Sequence, residues 1–407
     1  MDKKTLKSYA KLVVQSGINL QKGQEVKIVI SPQNAEFAQY LTEEAYKAKA
    51  SKVIVNFQDE TISKLNSKYR SLKSLSTVEK YEEAIEQYDV DKKPCYIYVE
   101  DKDPDYLSGV DTGKLSKARQ ARYPILKPYR DAQDNQYQWV IVALPSVKWA
   151  KKIFPNVSDE EAYRLLDDAI CKCTRLDGDP IANWEKHKKT LSTKARKMNR
   201  YHFDKLTYTS SNGTNLTLGL HPKHVWLSAE ETHLGGIQFV ANMPTEEVFT
   251  MPDKYRVDGK VVSTKALSYQ GNLIEDFSIQ FKKGKAVKVK AKVGQKYLEE
   301  MVKMDDAAAY LGEVALVPFD SPINKTGIMF YNTLFDENAC CHLAFGMAFK
   351  NNLKGYEKMT NDDFEKENYN DSMIHVDFMI GSEDLKIVGT TMNQEEITVF
   401  ENGVWAI

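Results

Sequence analysis

"EVKIVISPQNAEFAQYLTEEAYKAKASKVIVNF", residues 25–57, decides the fold class. It opens with "EVKIVI" (25–30) and closes with "KVIVNF" (52–57), two short runs rich in valine and isoleucine that read as strands. Between them "NAEFAQYLTEEAYKAKA" (34–50) spaces its apolar residues as a helix does. Working outward, "CYIYVE" (95–100) and "WVIVALP" (139–145) are two more strands, with helical stretches at 77–88 and 114–122 between them. Strands separated by helices of this length predict an α/β fold with a mostly parallel sheet. "SDEEAYRLLDDAICKC" then starts a helix at Ser158, with Glu161 completing a capping box. "DPIANWEKHKKTLSTKARKMN" (179–199) predicts a long polar helix, with Pro180 in its first turn and basic residues at its end. It reads as the connection between two halves.

From about residue 201 the character changes. "FDKLTYTS", "TNLTLGL", "IQFVANMP", "YRVDGKVVSTKALSY", "FSIQFKKGKAVKVKAKV" and "LKIVGTTM" through "ITVFENGVWAI" are short β segments with Gly and Asn turns. Two stretches, 294–304 and 338–349, read as helices interrupting them. The expected architecture is an α/β domain at 1–190 followed by an α+β catalytic domain at 191–407, rich in antiparallel strands.

A chain of 407 residues is long enough for two or three domains with a large core. Lys plus Arg is 56 against 57 Asp plus Glu, a balance that argues against bulk nucleic-acid binding. "FKKGKAVKVKAK" (281–292) alternates Lys with small apolar residues, the pattern of a strand with a solvated basic face. No apolar stretch approaches the ~20 residues that span a bilayer. "MDKKTLKSYAKLVVQSG" reads as an amphipathic helix and not as a signal peptide. Five cysteines without scaffold spacing suit a reducing cytoplasm.

The β-rich half sets charged groups in apolar surroundings. "SMIHVDFMIGS" (372–382) puts His375 and Asp377 on one face of a strand, with Ile374, Val376, Phe378 and Ile380 on the other. Glu313 is the lone charge in "YLGEVALVP", and His342 lies in the apolar run "CCHLAFGMAF", here read as helix. "PTEEVFTMP" offers Glu246 and Glu247, of which strand alternation would admit only one. Buried charges need a partner or a cation. Three carboxylates and two imidazoles form an oxygen and nitrogen set that suits zinc, cobalt or manganese. Two divalent ions bring four positive charges; the carboxylates balance three and a hydroxide the fourth. Elsewhere, Pro222 in "HPKH" removes helical metal spacing from His221 and His224, and His233 lies beside two glycines. Cys171 and Cys173 end a helical stretch.

At these residues the sequence resembles the aminopeptidase T and aminopeptidase S family of dimetal exopeptidases. "NMPTEEVFTMPD" (242–253), "YLGEVALVP" (310–318), "FDENACCHLAFGMAF" (335–349) and "IHVDFMIGSEDL" (374–385) carry the resemblance, which runs almost the full chain. It implies metal ligands at Glu247, Glu313, His342, His375 and Asp377, with Glu313 bridging two divalent ions (zinc, cobalt, manganese or magnesium). It also implies hydrolysis of the N-terminal residue from peptides with a free N-terminus, and a homodimer enclosing its active sites.

One position departs from the family pattern. Phe349 stands where the family has a tyrosine, seven residues after His342. On a helix that spacing places both residues on one face. Phenylalanine keeps the ring and loses a hydroxyl able to donate to a developing oxyanion. The expectations are therefore an aminopeptidase of normal or reduced activity, one using another donor such as Lys350, or a metal-binding pseudoenzyme. Another dimetal hydrolase, such as a phosphoesterase, shares the ligand set, but no Arg cluster or phosphate-cradling Gly loop favours it.

Overall fold

Alternating burial of Val26, Ile28 and Ile30 makes Glu25–Ile30 (β1) a core strand in a computed structural model describing residues 1–407. β1 pairs in parallel with Lys52–Phe57 (β2) on one side and Cys95–Glu100 (β3) on the other. β3 pairs in parallel with Trp139–Ala143 (β4), giving the order β2-β1-β3-β4. Helix Ala35–Lys47 makes the first crossover and buries Phe37, Ala38, Leu41 and Ala45. The helices at Lys80–Lys92 and Thr112–Gln133 serve the later ones, longer than the 77–88 and 114–122 expected. Lys27 of β1 is buried, but Asp89 pairs with it and Tyr96 donates to the same carboxylate. No helix is long and apolar enough to cross a membrane.

The chain divides into two compact units: Met1–His187 with Glu230–Pro244, and Lys188–Ala229 with Thr245–Ile407. It therefore changes unit three times, where composition marks one change of character. The long helix runs Pro180–Tyr201 and contains the first of these changes.

The second unit holds an eight-stranded antiparallel sheet, running from edge strand Lys285–Lys290 through Ser278–Lys282, Pro252–Val262, Asn215–Leu220, Phe203–Thr209, Lys386–Thr391 and Glu396–Glu401 to Val404–Trp405. Lysines 285, 288 and 290 are exposed on that edge strand, where charge discourages pairing with another chain. A second sheet has four antiparallel strands in the order His375–Met379, His342–Gly346, Leu311–Leu316, Val248–Thr250. Leu343, Phe345, Phe378, Val314 and Leu316 from its strands join the unit's main apolar core.

One element differs from expectation. Residues 338–349, read as helix, form a short helical turn at Glu337–Ala339 and then the strand His342–Gly346. All five residues of that strand are buried. A strand covered on both faces shows no alternation, so its apolar run is indistinguishable from a buried helix by periodicity.

Candidate metal centre

The register of the four-stranded sheet assembles the site. Asp377 lies opposite Ala344, and Ala344 lies opposite Glu313. His375 lies opposite Gly346, and His342 opposite Ala315. Directly opposed residues in antiparallel strands share a face. His375, Asp377, His342 and Glu313 therefore project from one side, and the small residues Ala344 and Gly346 leave the space between them open. A register shift between Leu311 and Glu313 brings Gly312 against the carbonyls of Gly346 and Met347, 2.3 Å from where a Cβ would sit. Only glycine fits that approach. Glu247 arrives from the turn before Val248–Thr250. Glu246 and Glu247 precede that strand, so alternation does not separate them, and both are buried.

The five side chains meet as two overlapping groups. Glu247, Glu313 and His342 form one, Glu313, His375 and Asp377 the other, with the ligand atoms of each within 4.8 Å of one another. Glu313 belongs to both. His342 Nε2 lies 3.2 Å from Glu247 and 4.0 Å from Asp377; His375 Nε2 lies 3.0 Å from Glu313 and 3.3 Å from Asp377. None of the three carboxylates has a Lys or Arg partner, although each is at least nine-tenths buried. His375 Nδ1 is 2.7 Å from the Met347 carbonyl, which turns Nε2 inward. His342 Nδ1 stands 3.4 Å from the Cys340 carbonyl. Such outer contacts fix the tautomer and ring orientation that metal ligation needs. The donor set fits divalent metals of borderline softness.

Electrostatics records the same crowding. Burial and the fields of Glu247 and Asp377 lift the Glu313 carboxyl to about 7, against the pull of His375. Burial lowers the His342 imidazole, but Glu247, Asp377 and Glu313 outweigh it and hold it at about 9. Burial likewise opposes protonation of His375, yet Asp377 and Glu313 raise it well above the ordinary histidine value. Asp377 stays below the usual carboxylate range because His375 and His342 outweigh its burial. The shifts of both imidazoles record three buried carboxylates beside them with no lysine or arginine partner.

A further acid escaped the sequence reading. Burial and the fields of Asp377, Glu247 and Glu313 push the Glu337 carboxyl well above its ordinary value. It contributes a hydrogen bond to Asp377. Asn338 holds this turn, donating to Glu337 at 3.2 Å and to the Leu334 carbonyl at 3.1 Å while accepting from the Glu246 amide at 2.7 Å. The run "FDENACC" carried the signal, an acid next to an asparagine ahead of a buried strand, but the helix reading hid it.

Phe349 does reach the site, though not along a helix. It follows the strand His342–Gly346 and sets its ring 4.7 Å from that of His375 and 6.0 Å from that of Phe249. The ammonium of Lys350 lies over the Phe364 ring at 5.1 Å. His221 faces Glu367, His224 stacks on His202, and His233 accepts from the Gly235 amide. Cys171 and Cys173 form no disulfide, nor do the other three cysteines. None of these residues joins a group of three or more potential ligands.

Fold and site together describe a metal-dependent hydrolase. The chain belongs to the thermophilic metalloprotease (M29) family, whose pattern matches residues 2–405. It is 41% identical over 403 residues to aminopeptidase AmpS of Bacillus subtilis (strain 168), covering 98% of each chain. It is 42% identical over 408 residues to aminopeptidase PepS of Streptococcus thermophilus, covering 100% of this chain and 98% of that one. The solved structure of wild-type AmpT from Thermus thermophilus superposes with a TM-score of 0.90, at 34% identity and full coverage of both chains. The resemblance found in the site motifs and the α/β-then-antiparallel architecture both agree with these matches.

Proposed function

We propose that this protein is a dimetal aminopeptidase that removes the N-terminal residue of peptides bearing a free α-amine. The observation that carries the reading is the sharing of Glu313 between two ligand groups, Glu247–Glu313–His342 and Glu313–His375–Asp377. One group would hold one divalent ion (zinc, cobalt, manganese or magnesium) and the other a second, with Glu313 between them. Two such ions activate water and polarise the scissile carbonyl. Glu337, hydrogen-bonded to the ligand Asp377, is the proton carrier in this reading. His375 is kept in one orientation by the Met347 carbonyl and the Phe349 ring. The protein is read as a cytoplasmic homodimer, the first from five cysteines without scaffold spacing and the second from the family resemblance.

The test measures metal content and hydrolysis of an aminoacyl p-nitroanilide together. Wild type should hold two equivalents, and a chelator should abolish turnover that zinc or cobalt restores. Glu313→Gln should lose metal and at least about 10²-fold in turnover, since even outer-contact changes cost 10–100-fold. Metal-free, active wild type or an undiminished Glu313→Gln would overturn the reading.

A further inference from the structure

The parallel sheet of the first unit has its own crevice. In the order β2-β1-β3-β4 the chain leaves β1 toward β2 on one side and returns to place β3 on the other. At such a reversal the loops after the two strands part at the carboxyl ends, and ligands bind in the gap. A cavity of about 260 Å³ lies there, lined by residues following all four strands, among them Ser31, Asp59, Asp101, Ser146 and Lys148. It is smaller than the ~300–1,000 Å³ of pockets that take drug-sized ligands.

Asp101 is its built element. The side chain is 3% exposed, and its Oδ2 accepts from the Ser31 hydroxyl and, at 2.7 Å each, from the amides of Gln33 and Asn34. These donors all come from the turn after β1. Oδ1 accepts no hydrogen bond from the protein. Oδ1 is not among the enclosed, unpartnered polar atoms of the chain, so it stays open to the cavity that Asp101 lines, where water or a ligand can donate to it. Ser146 lies on the adjoining wall, after β4, the neighbour of β3 at about 5 Å. Its oxygen caps the following helix by accepting from the Trp149 amide, which leaves its hydroxyl proton to donate. Lys148 shares that wall, with its ammonium 2.5 Å from Glu60. Three carboxylates (Asp59, Glu60, Asp101) against two lysines (Lys102, Lys148) disfavour a phosphate. An acceptor on one wall and donors on the other complement a small zwitterion.

The geometry points to a second ligand site here, for a free α-amino acid whose ammonium meets Asp101 and whose carboxylate meets Ser146 and Lys148. The assignment does not depend on the reaction proposed for the metal centre. If that reaction holds, the ligand class is its product.

Equilibrium dialysis of the full-length, metal-loaded protein against radiolabelled L-alanine and L-leucine tests it. Binding should persist in Glu313→Gln, which separates this site from the metal centre. N-acetyl-L-alanine and L-alaninamide should compete at least about tenfold more weakly, each having lost one charge. Asp101→Asn should weaken binding by at least about tenfold, because an amide that keeps its oxygen toward Ser31, Gln33 and Asn34 turns an NH₂ group into the cavity. Ser146→Ala, on the adjoining wall, should weaken it severalfold and decides the matter if Asp101→Asn does not fold by circular dichroism. The proposal fails if no binding survives Glu313→Gln, if folded Asp101→Asn and Ser146→Ala bind as wild type does, or if the blocked amino acids compete equally. Dialysis reads binding whatever the hydrolysis assay gives, so the two proposals fail separately.

Discussion

Phe349 holds its ring against His375 at 4.7 Å and lacks only a hydroxyl to reach further into the centre. The ammonium of Lys350, the next residue, lies over the Phe364 ring at 5.1 Å. Phe349→Tyr should therefore raise kcat on an aminoacyl p-nitroanilide, by as much as the ~10²–10³-fold that one oxyanion donor contributes, with KM little changed. Steady-state kinetics at matched metal content check this, and an unchanged kcat would assign the donor elsewhere. His224 is a second residue whose surroundings set a measurable property. It is buried, its Nε2 has no partner, and its Nδ1 meets the His221 carbonyl at 2.7 Å. Burial, helped by the neighbouring His202 and His221, lowers it from 6.5 to about 4. Glu367 faces His221 at 3.3 Å, and Asp253 also acts on that histidine. Because the folded value lies below the unfolded one, the unfolded chain binds the extra proton between them. Stability is full above about pH 6.5 and falls as pH drops toward 4, by about 3 kcal/mol for this group. His224→Phe should be about 1 kcal/mol less stable at pH 8 for the lost hydrogen bond, yet lose less on acidification. Denaturant melts at pH 8 and pH 5 on both proteins give the difference.

At the scale of elements, the centre depends on how three strands line up. Asp377, Ala344 and Glu313 form a row across the sheet, and the methyl of Ala344 is what stands between the two acids. Ala344→Val should place two extra carbons in that gap, cost about 1–3 kcal/mol of stability by overpacking, and lower metal content at a fixed free-metal concentration. Metal analysis beside a thermal melt separates the two effects, and full metal content with a lowered melt would mean the gap is not where metal sits. That row also shows what the sequence could and could not disclose. His375 and Asp377 were legible as a pair because their strand alternates, with Ile374, Phe378 and Ile380 in the core on the other face. The parallel strands were legible for a similar reason, each bounded by helices with their own period. The strand of His342 was not, since apolar residues cover both its faces and leave no period to read. Helical spacing therefore does not account for Phe349, whose approach comes from the chain leaving Gly346, a residue at φ 93° that turns it. For Glu246 and Glu247 it is the argument that changes, since both lie before the strand begins and alternation does not apply to them; Glu247 is the one that joins the ligand groups.

For the molecule as a whole, the centre is a concentration of charge that one unit must tolerate. The expected count was three carboxylates; Glu337 makes four, and burial beside Asp377, Glu247 and Glu313 raises its affinity for a proton. All six side chains, the four acids and two imidazoles, belong to the unit formed by Lys188–Ala229 and Thr245–Ile407, whose four-stranded sheet carries most of them. The other unit contributes none, and its parallel sheet draws its core from apolar residues such as Val26, Ile28, Ile97 and Val140. Metal bound only by the native arrangement stabilises it by mass action, about 2.7 kcal/mol at a hundredfold excess over Kd. At ~2–4 °C per kcal/mol for a unit of this size, chelation should lower its melting temperature by about 5–10 °C. Hydrogen exchange should show where: amides of His375–Met379, His342–Gly346 and Leu311–Leu316 should exchange faster once the acids face one another without a cation, while β1, β3 and β4 keep their protection. Equal loss of protection in both units would place the stabilising ion outside the strands that hold Glu313, His342, His375 and Asp377, and no change in either would remove it from the folded state altogether.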